Sequence, residues 1–211
     1  ITSPSFFNCI SAASYCIIFN KKYIVDVRDD YPRVFFDTGL LKRNSLAGRF
    51  LSWVEKTIYR KSLMVVAATE GLFKNIRKVY SGELYLLRNG FSETVFSYNP
   101  EKYDSFTLVL HGNLSSFQGI DIVLELGKLL ENYGNRLQIL VIGKGSDDYK
   151  FRECNISTIK YLGPKPHHEI ATIIQKAHVG LSFRKAGKIS EDAFPVRAYE
   201  YIGVCIPILV T

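Results

Sequence analysis

Short runs of aliphatic and β-branched residues alternate along the chain with longer stretches in which apolar positions recur at helical spacing. In the first part, residues 22–28 (Lys-Tyr-Ile-Val-Asp-Val-Arg), 63–67 (Leu-Met-Val-Val-Ala) and 84–87 read as strands. Cys9 and Cys16, seven positions apart, fall on one side of a helix. Over residues 43–62, Leu46, Phe50, Val54 and Ile58 recur every four positions with Trp53 alongside. Arg49, Ser52, Lys56 and Arg60 lie around the rest, so the spacing predicts a helix whose apolar stripe faces a core. Thr69 stands where it caps the helix that follows, with Glu70 in its first turn.

The period is lost over residues 90–105, and a second alternating run follows. Strands are expected at 106–111, 137–142, 159–162, 178–183 and 206–210, and helices at 119–131, 167–177 and 195–203. The expected organisation is a first domain over 1–93, a linker over 94–105 and a second domain over 106–211. Strands alternating with helices imply parallel sheets covered on both faces, an α/β class with two Rossmann-like domains. Ligands of such sheets bind beyond the C-terminal strand ends. Here those ends carry Gly112-Asn113, Gly143-Lys-Gly145, Gly163-Pro164 and the segment 184–195.

Hydrophobic residues make up 47% of the 211 and charged residues 22%, enough for packed cores under a charged surface. No apolar run approaches the roughly 20 residues that span a bilayer. The opening Ile-Thr-Ser-Pro lacks both an initiator Met and the basic start of a signal peptide, and the last residues, 206–211, are apolar; a piece cut at both ends is expected. Cys9, Cys16, Cys154 and Cys205 form no zinc spacing and predict reduced core thiols in a cytoplasmic protein. Net charge is +7, and the first 95 residues hold 14 Lys and Arg against 8 Asp and Glu. That asymmetry predicts an anionic partner: phospholipid, nucleic acid or a phosphorylated substrate.

The segment 191–203 is densest in candidate chemistry. Pro195 suits the first turn of a helix, and Asp192 lies just before it, near the positive end of the helix dipole. Arg197 and Glu200, three apart, share a face. A helix N-terminus binds anions, and a carboxylate beside it accepts two ribose hydroxyls. Together these features suit a nucleoside diphosphate, although the spacing fits a capped helix with a surface ion pair equally well. His167-His168 has no carboxylate or cysteine at ligand spacing and reads as a solvated helix start. Asp26, Asp29 and Asp30, with Arg28 among them, read as a charged strand end rather than a metal site. Gly143-Lys-Gly145 is too short for a phosphate loop of the Walker kind. Phe50 and Trp53 with Arg49, Lys56, Arg60 and Lys61 admit docking on an anionic membrane, but a core-facing helix with a solvated basic side is the simpler reading.

The run Phe194-Pro195-x-Arg197-x-Tyr-Glu200-Tyr-x-Gly203…Pro-Ile resembles the F-P-x-K-x-x-E-Y-x-x-x-G-x-P signature of the retaining GT-B glycosyltransferases of the large group-one family. That family also marks its site by two acids separated by seven residues. Asp192 and Glu200 have that separation, with Asp in place of the usual Glu. Asp26-Val-Arg28-Asp29-Asp30-Tyr-Pro32, Ala67-Ala-Thr69-Glu70-Gly71 and Arg88-Asn89-Gly90 resemble further family motifs, in the family's order. So do His111-Gly112-Asn113, Gln118-Gly119-Ile-Asp121, Gly143-Lys-Gly145 and Tyr161-Leu-Gly163.

The resemblance implies a GT-B fold with both domains incomplete: the end of the acceptor-side domain over 1–93 and most of the donor-binding domain over 106–211. It implies a UDP- or GDP-linked sugar as co-substrate, no metal or other cofactor, and transfer with retention to a glycan or lipid-linked glycan. The setting would be bacterial capsule, lipopolysaccharide or exopolysaccharide synthesis, on the inner face of the cell membrane through helix 43–62, with no nucleic-acid partner. Glu200 would bind the donor ribose and Asp192 the transferred sugar. The backbone around Phe194, Pro195 and Arg197 would hold the diphosphate, which Gly112, Asn113, Gly119 and Gly143 would approach. Gln118 stands where many relatives carry a cationic Lys, leaving Arg184, Lys185 or Lys188 to replace it. Gly163 and Pro164 would flank the base, and Arg28 and Asp29 would serve the reacting centre and acceptor. A nucleotide-sugar epimerase of the same fold and a basic nucleic-acid-binding module are the rival expectations.

Overall fold

The computed structural model describes residues 1–3, 6–184 and 194–211, apart from the side chains of Ser116 and Asn135. Asp192, Lys185 and Lys188 therefore lie outside the described residues. The chain forms two compact units: among the described residues the first holds 1–89 and Phe194, and the second holds 90–184 and 195–211.

The first unit comprises β1 (Thr2–Ser3), α1 (Phe6–Ile18), β2 (Ile24–Val27), α2 (Arg33–Asp37), α3 (Leu46–Lys61), β3 (Met64–Ala67), α4 (Glu70–Arg77) and β4 (Leu84–Leu86). Its four strands are parallel, in the order β1-β2-β3-β4. Val25, Val27, Val65 and Ala67 pack with Cys9 and Ala13 of α1, Ile58 and Tyr59 of α3, and Leu72 and Ile76 of α4. The helix starts follow the sequence: Ser45 Oγ accepts the Gly48 amide at 3.1 Å, and Thr69 Oγ1 accepts that of Leu72 at 3.2 Å. Glu55, on α3, has its carboxyl pushed up to about 7, first by burial and then by the charge of Asp30.

The expected apolar stripe of α3 is buried only in its second half, where Ile58 lies in the core and Val54 packs against it. Leu46, Phe50 and Trp53 are 87%, 59% and 60% exposed, whereas Gly48, Ile58 and Tyr59 are buried. Gly48 explains the departure in the first turns. A Cβ there would meet Lys42 O at 2.5 Å and Arg43 O at 2.8 Å, so the preceding loop lies against the glycine and turns Leu46 and Phe50 outward. Cys205, expected in a core, is exposed. Among the described residues, no helix is long and apolar enough to cross a membrane.

The second unit contains β5 (Phe106–Asn113), α5 (Ile120–Leu130), β6 (Leu137–Lys144), the one-turn helix α6 (Tyr149–Arg152), β7 (Ile159–Gly163), α7 (His167–Ile174), β8 (Val179–Ser182), α8 (Val196–Gly203) and β9 (Ile208–Val210). Neither α2 nor α6 is expected from the periodicity, since five and four residues are too few to display one. All five strands are parallel, in the order β7-β6-β5-β8-β9. Strand alternation distributes two cores. Leu108, Leu110, Ile139 and Val141 pack on one face with Ile120 and Val123 of α5 and with Phe151. Val109, Leu140 and Ile142 pack on the other with Ile174 of α7 and Tyr201 of α8. Residues 90–105 pack on this unit: Phe96 is 1% exposed within the second of these cores, and the Tyr103 amide donates to Lys176 O at 3.1 Å.

The candidate nucleotide site

The strand order places β5 at the centre, with later strands added first on one side and then on the other. The order reverses between β5 and β8, and a crevice at the C-terminal strand ends follows from that reversal. The last residues of β5 and β6 meet there, with Gly112 opposite Gly143 and Asn113 opposite Lys144. Gly112 has φ +111° and Gly143 φ +140°. A Cβ on Gly143 would stand 1.9 Å from Gly112 O, so the two backbones approach more closely than side chains allow. Tyr161 Oη donates to Gly143 O at 2.8 Å and fixes the rim. Gly119, at φ +63°, starts α5 against Phe183.

Helix α8 brings the charged groups to this crevice. Pro195 is the residue before its first turn rather than within it, and the helix start has no side-chain cap. Its leading amides thus receive no cap from the Pro195 side chain, and a helix start of this kind favours an anion. Tyr201 anchors the helix: fully buried, it donates from Oη to Val109 O at 3.0 Å. Arg197 and Glu200, each 7% exposed, are thereby held beside the end of β5.

Arg197 and Glu200 do not make the surface ion pair that their spacing also fitted. Arg197 Nη2 donates to Gln118 Oε1 at 2.7 Å, and Glu200 Oε1 lies 2.9 Å from His167 Nε2. Each charge finds a partner from another element, so the spacing of three residues on α8 does not decide the matter. Gln118 thus orients the Arg197 guanidinium, while its own position carries no cation. His167, expected as a solvated helix start, reaches Glu200 across 33 residues of sequence, and its ring meets Phe96 edge-on at 4.8 Å. No short-range signal reports such a contact.

His111 is a site residue that the sequence pattern does not single out. It is 4% exposed, and its ring meets Tyr201 edge-on at 5.0 Å. Burial, then the charge of Arg197, then His167, lowers its pKa to about 3. Its Nε2 lies 3.3 Å from Glu200 Oε2, within ion-pair range but off the line of a hydrogen bond. The depressed pKa outweighs the proximity, and the ring is neutral near pH 7. His111 Nε2 and Arg197 Nη1 are buried nitrogens without a hydrogen-bond partner among the described residues. A buried guanidinium keeps its charge, so Arg197 holds, beside the end of β5, a charged donor that no described residue uses.

Gly163 ends β7 at φ +69° with open space about it, and Pro164 is exposed beyond it. Phe194 is 47% exposed. In the first unit, Arg28 Nε donates to Asp26 Oδ2 at 2.9 Å and its Nη1 to Asn89 Oδ1, joining the end of β2 to the chain after β4. Asp29 follows Arg28, and its carbonyl accepts from the Tyr31 amide at 3.0 Å. Asp30 is held by Arg33 at 3.1 Å and Asn75 at 3.0 Å. Among the described residues no group of three or more His, Cys, Asp or Glu side chains is placed to hold a metal ion.

Two parallel α/β units, the second with a glycine-lined crevice at its strand reversal, define a GT-B-type fold. Anabaena HepE, solved in complex with UDP, is similar with a TM-score of 0.73 at 14% identity, over 100% of this chain and 58% of HepE. Sucrose-phosphate synthase from Thermosynechococcus elongatus gives 0.72 at 15% identity, over 97% of this chain and 54% of that one. The lipopolysaccharide outer core galactosyltransferase WaaB in its apo form gives 0.55 at 20% identity, over 97% and 54%. This chain thus spans a little over half the length of these proteins, and at such identities the likeness is one of fold. The sequence matches no protein-family model and no curated protein.

Proposed function

We propose that the protein is a glycosyltransferase that binds a nucleotide sugar at the crevice of its second unit. The observation that carries this reading is the buried set at the end of β5: a carboxylate, Glu200, and a guanidinium, Arg197, whose Nη1 has no partner among the described residues, both on the helix that starts at Pro195. A diphosphate suits the cation and the helix amides, and a ribose diol suits the carboxylate. As a sugar leaves its nucleoside diphosphate, negative charge grows on the phosphates. Fixed cations and dipoles aimed there lower the barrier. Support comes also from the UDP held by HepE and from the galactosyltransferase name of WaaB. Retention, Asp192 at the transferred sugar, Arg28 and Asp29 at the acceptor, and a role in surface polysaccharide synthesis belong to this proposal through the family resemblance.

Calorimetric titration of UDP and GDP separately into the chain tests it. One of them binds saturably, and Glu200→Ala weakens that binding by roughly tenfold or more, because ribose hydroxyls lose a charged partner. Silence for both nucleotides overturns the donor reading. Product analysis with a bound nucleotide sugar separates transfer from epimerisation.

The proposal extends to a peripheral membrane position. Its support is the outward face of α3, where exposed Leu46, Phe50 and Trp53 lie among Arg49, Lys56 and Arg60, with Phe50 and Trp53 stacked at 6.0 Å. An apolar strip edged with cations suits the interface of an anionic bilayer. The chain will co-sediment with vesicles containing phosphatidylglycerol, less so at high salt, and Phe50→Ser with Trp53→Ser will abolish it. Binding indifferent to anionic lipid and salt would sink the idea.

A further inference from the structure

Arg197 and Glu200 sit three residues apart on a buried helix face and still do not pair. If they did, the pair would neutralise itself and remove both the cation for the diphosphate and the acceptor for the ribose. Two side chains from elsewhere hold them apart. Gln118 takes Arg197 Nη2 at 2.7 Å, and His167 takes Glu200 Oε1 at 2.9 Å. His167 supplies the one hydrogen bond made to the Glu200 carboxylate among the described residues. Neutral His111 stands beside Oε2 out of line.

We propose that His167 is a positioning residue that keeps Glu200 turned away from Arg197 and open to the donor ribose. A carboxylate has about four lone-pair sites on its two oxygens, so a bond from His167 on Oε1 leaves room for two hydroxyls. The ring is well placed for this task. It belongs to the first residue of α7, directly after Pro166, whose φ of −59° is ring-restricted. The edge of fully packed Phe96 lies against it at 4.8 Å. Its side chain is nevertheless 62% exposed, against 9% for that of Glu200, so its removal leaves no core cavity. Without it the Glu200 side chain is free to swing to the open Nη1 of Arg197. The proposal rests on the nucleotide-sugar reading of the same crevice.

The test compares UDP and GDP with their 2′,3′-dideoxy forms, titrated into wild type, His167→Ala, His167→Gln and His168→Ala. The glutamine amide nitrogen reaches about where the imidazole Nε2 stands. Wild type will prefer the ribose form of the nucleotide it binds. His167→Ala will lose affinity for that form by about tenfold, and the ribose-over-dideoxy preference will fall towards one. His167→Gln will restore the preference, and His168→Ala, at the adjacent exposed residue, will leave it unchanged. A wild-type preference in His167→Ala overturns the role of His167 while leaving the donor site standing. Binding of neither nucleotide by wild type overturns the donor reading itself.

Discussion

Replacing Gly143 by alanine will cost the protein about 3 kcal/mol or more of stability. Two effects add. The backbone at Gly143 has φ +140°, a conformation that a side chain strongly disfavours, and the new Cβ would stand 1.9 Å from Gly112 O. Neither partner has freedom to withdraw. Gly112 is paired to Gly143 across β5 and β6, and the Gly143 carbonyl is held by Tyr161. The contrast is Gly163, at φ +69° with nothing within 4 Å of a Cβ, where alanine will cost only about 1 kcal/mol. Urea unfolding of the two variants measures the difference. Equal losses would mean that the β5–β6 contact is slacker than the distance indicates. Because the same glycines line the crevice, Gly143→Ala will also weaken nucleotide binding in whatever fraction stays folded.

The second unit will lose stability steeply in acid, and His111 will account for much of the loss. The folded pKa is lowered from its ordinary 6.5 to about 3. Between those values the unfolded chain takes up a proton that the folded one refuses. His111 therefore favours folding fully above pH 6.5, and that contribution falls as pH drops towards 3, by up to about 1.4 kcal/mol per pH unit. Glu55 in the first unit works oppositely. Its carboxyl is raised from 4.5 to about 7, so its contribution is complete below 4.5 and is lost as pH rises through 7. Amide exchange at Val109 and Leu140, read against pH, isolates the second unit. In His111→Gln the acid slope of those amides will flatten. Parallel curves for variant and wild type would show that another group governs the acid response.

How much of this was legible in the sequence varies with the distance over which each signal acts. The strand–helix alternation and the strand-end glycines follow from local periodicity and turn chemistry, and both sheets follow from them. Thr69 and its cap were equally local. Only the second half of the α3 stripe, Val54 and Ile58, was legible; at Leu46 and Phe50 the apolar repeat misleads, because Gly48, against which the preceding loop lies, has no hydropathy to report. At the crevice, Arg197 and Glu200 are conspicuous by motif. Their partners come from α7, from the end of β5 and from the turn before α5, and spacing along α8 is blind to them. His111 was hidden further by standing in a strand whose other positions read as core.

That placement of His111 has a bearing on how such a site changes over generations. It follows Thr107 and Val109, and precedes Asn113, on the sheet face that packs Tyr201. The rungs before it are tied to a core, while His111 itself stands beside Glu200. A substitution there alters what the crevice offers without disturbing the side-chain alternation that sets the strand in register. New specificities can therefore be sampled at the end of a strand whose interior stays constant.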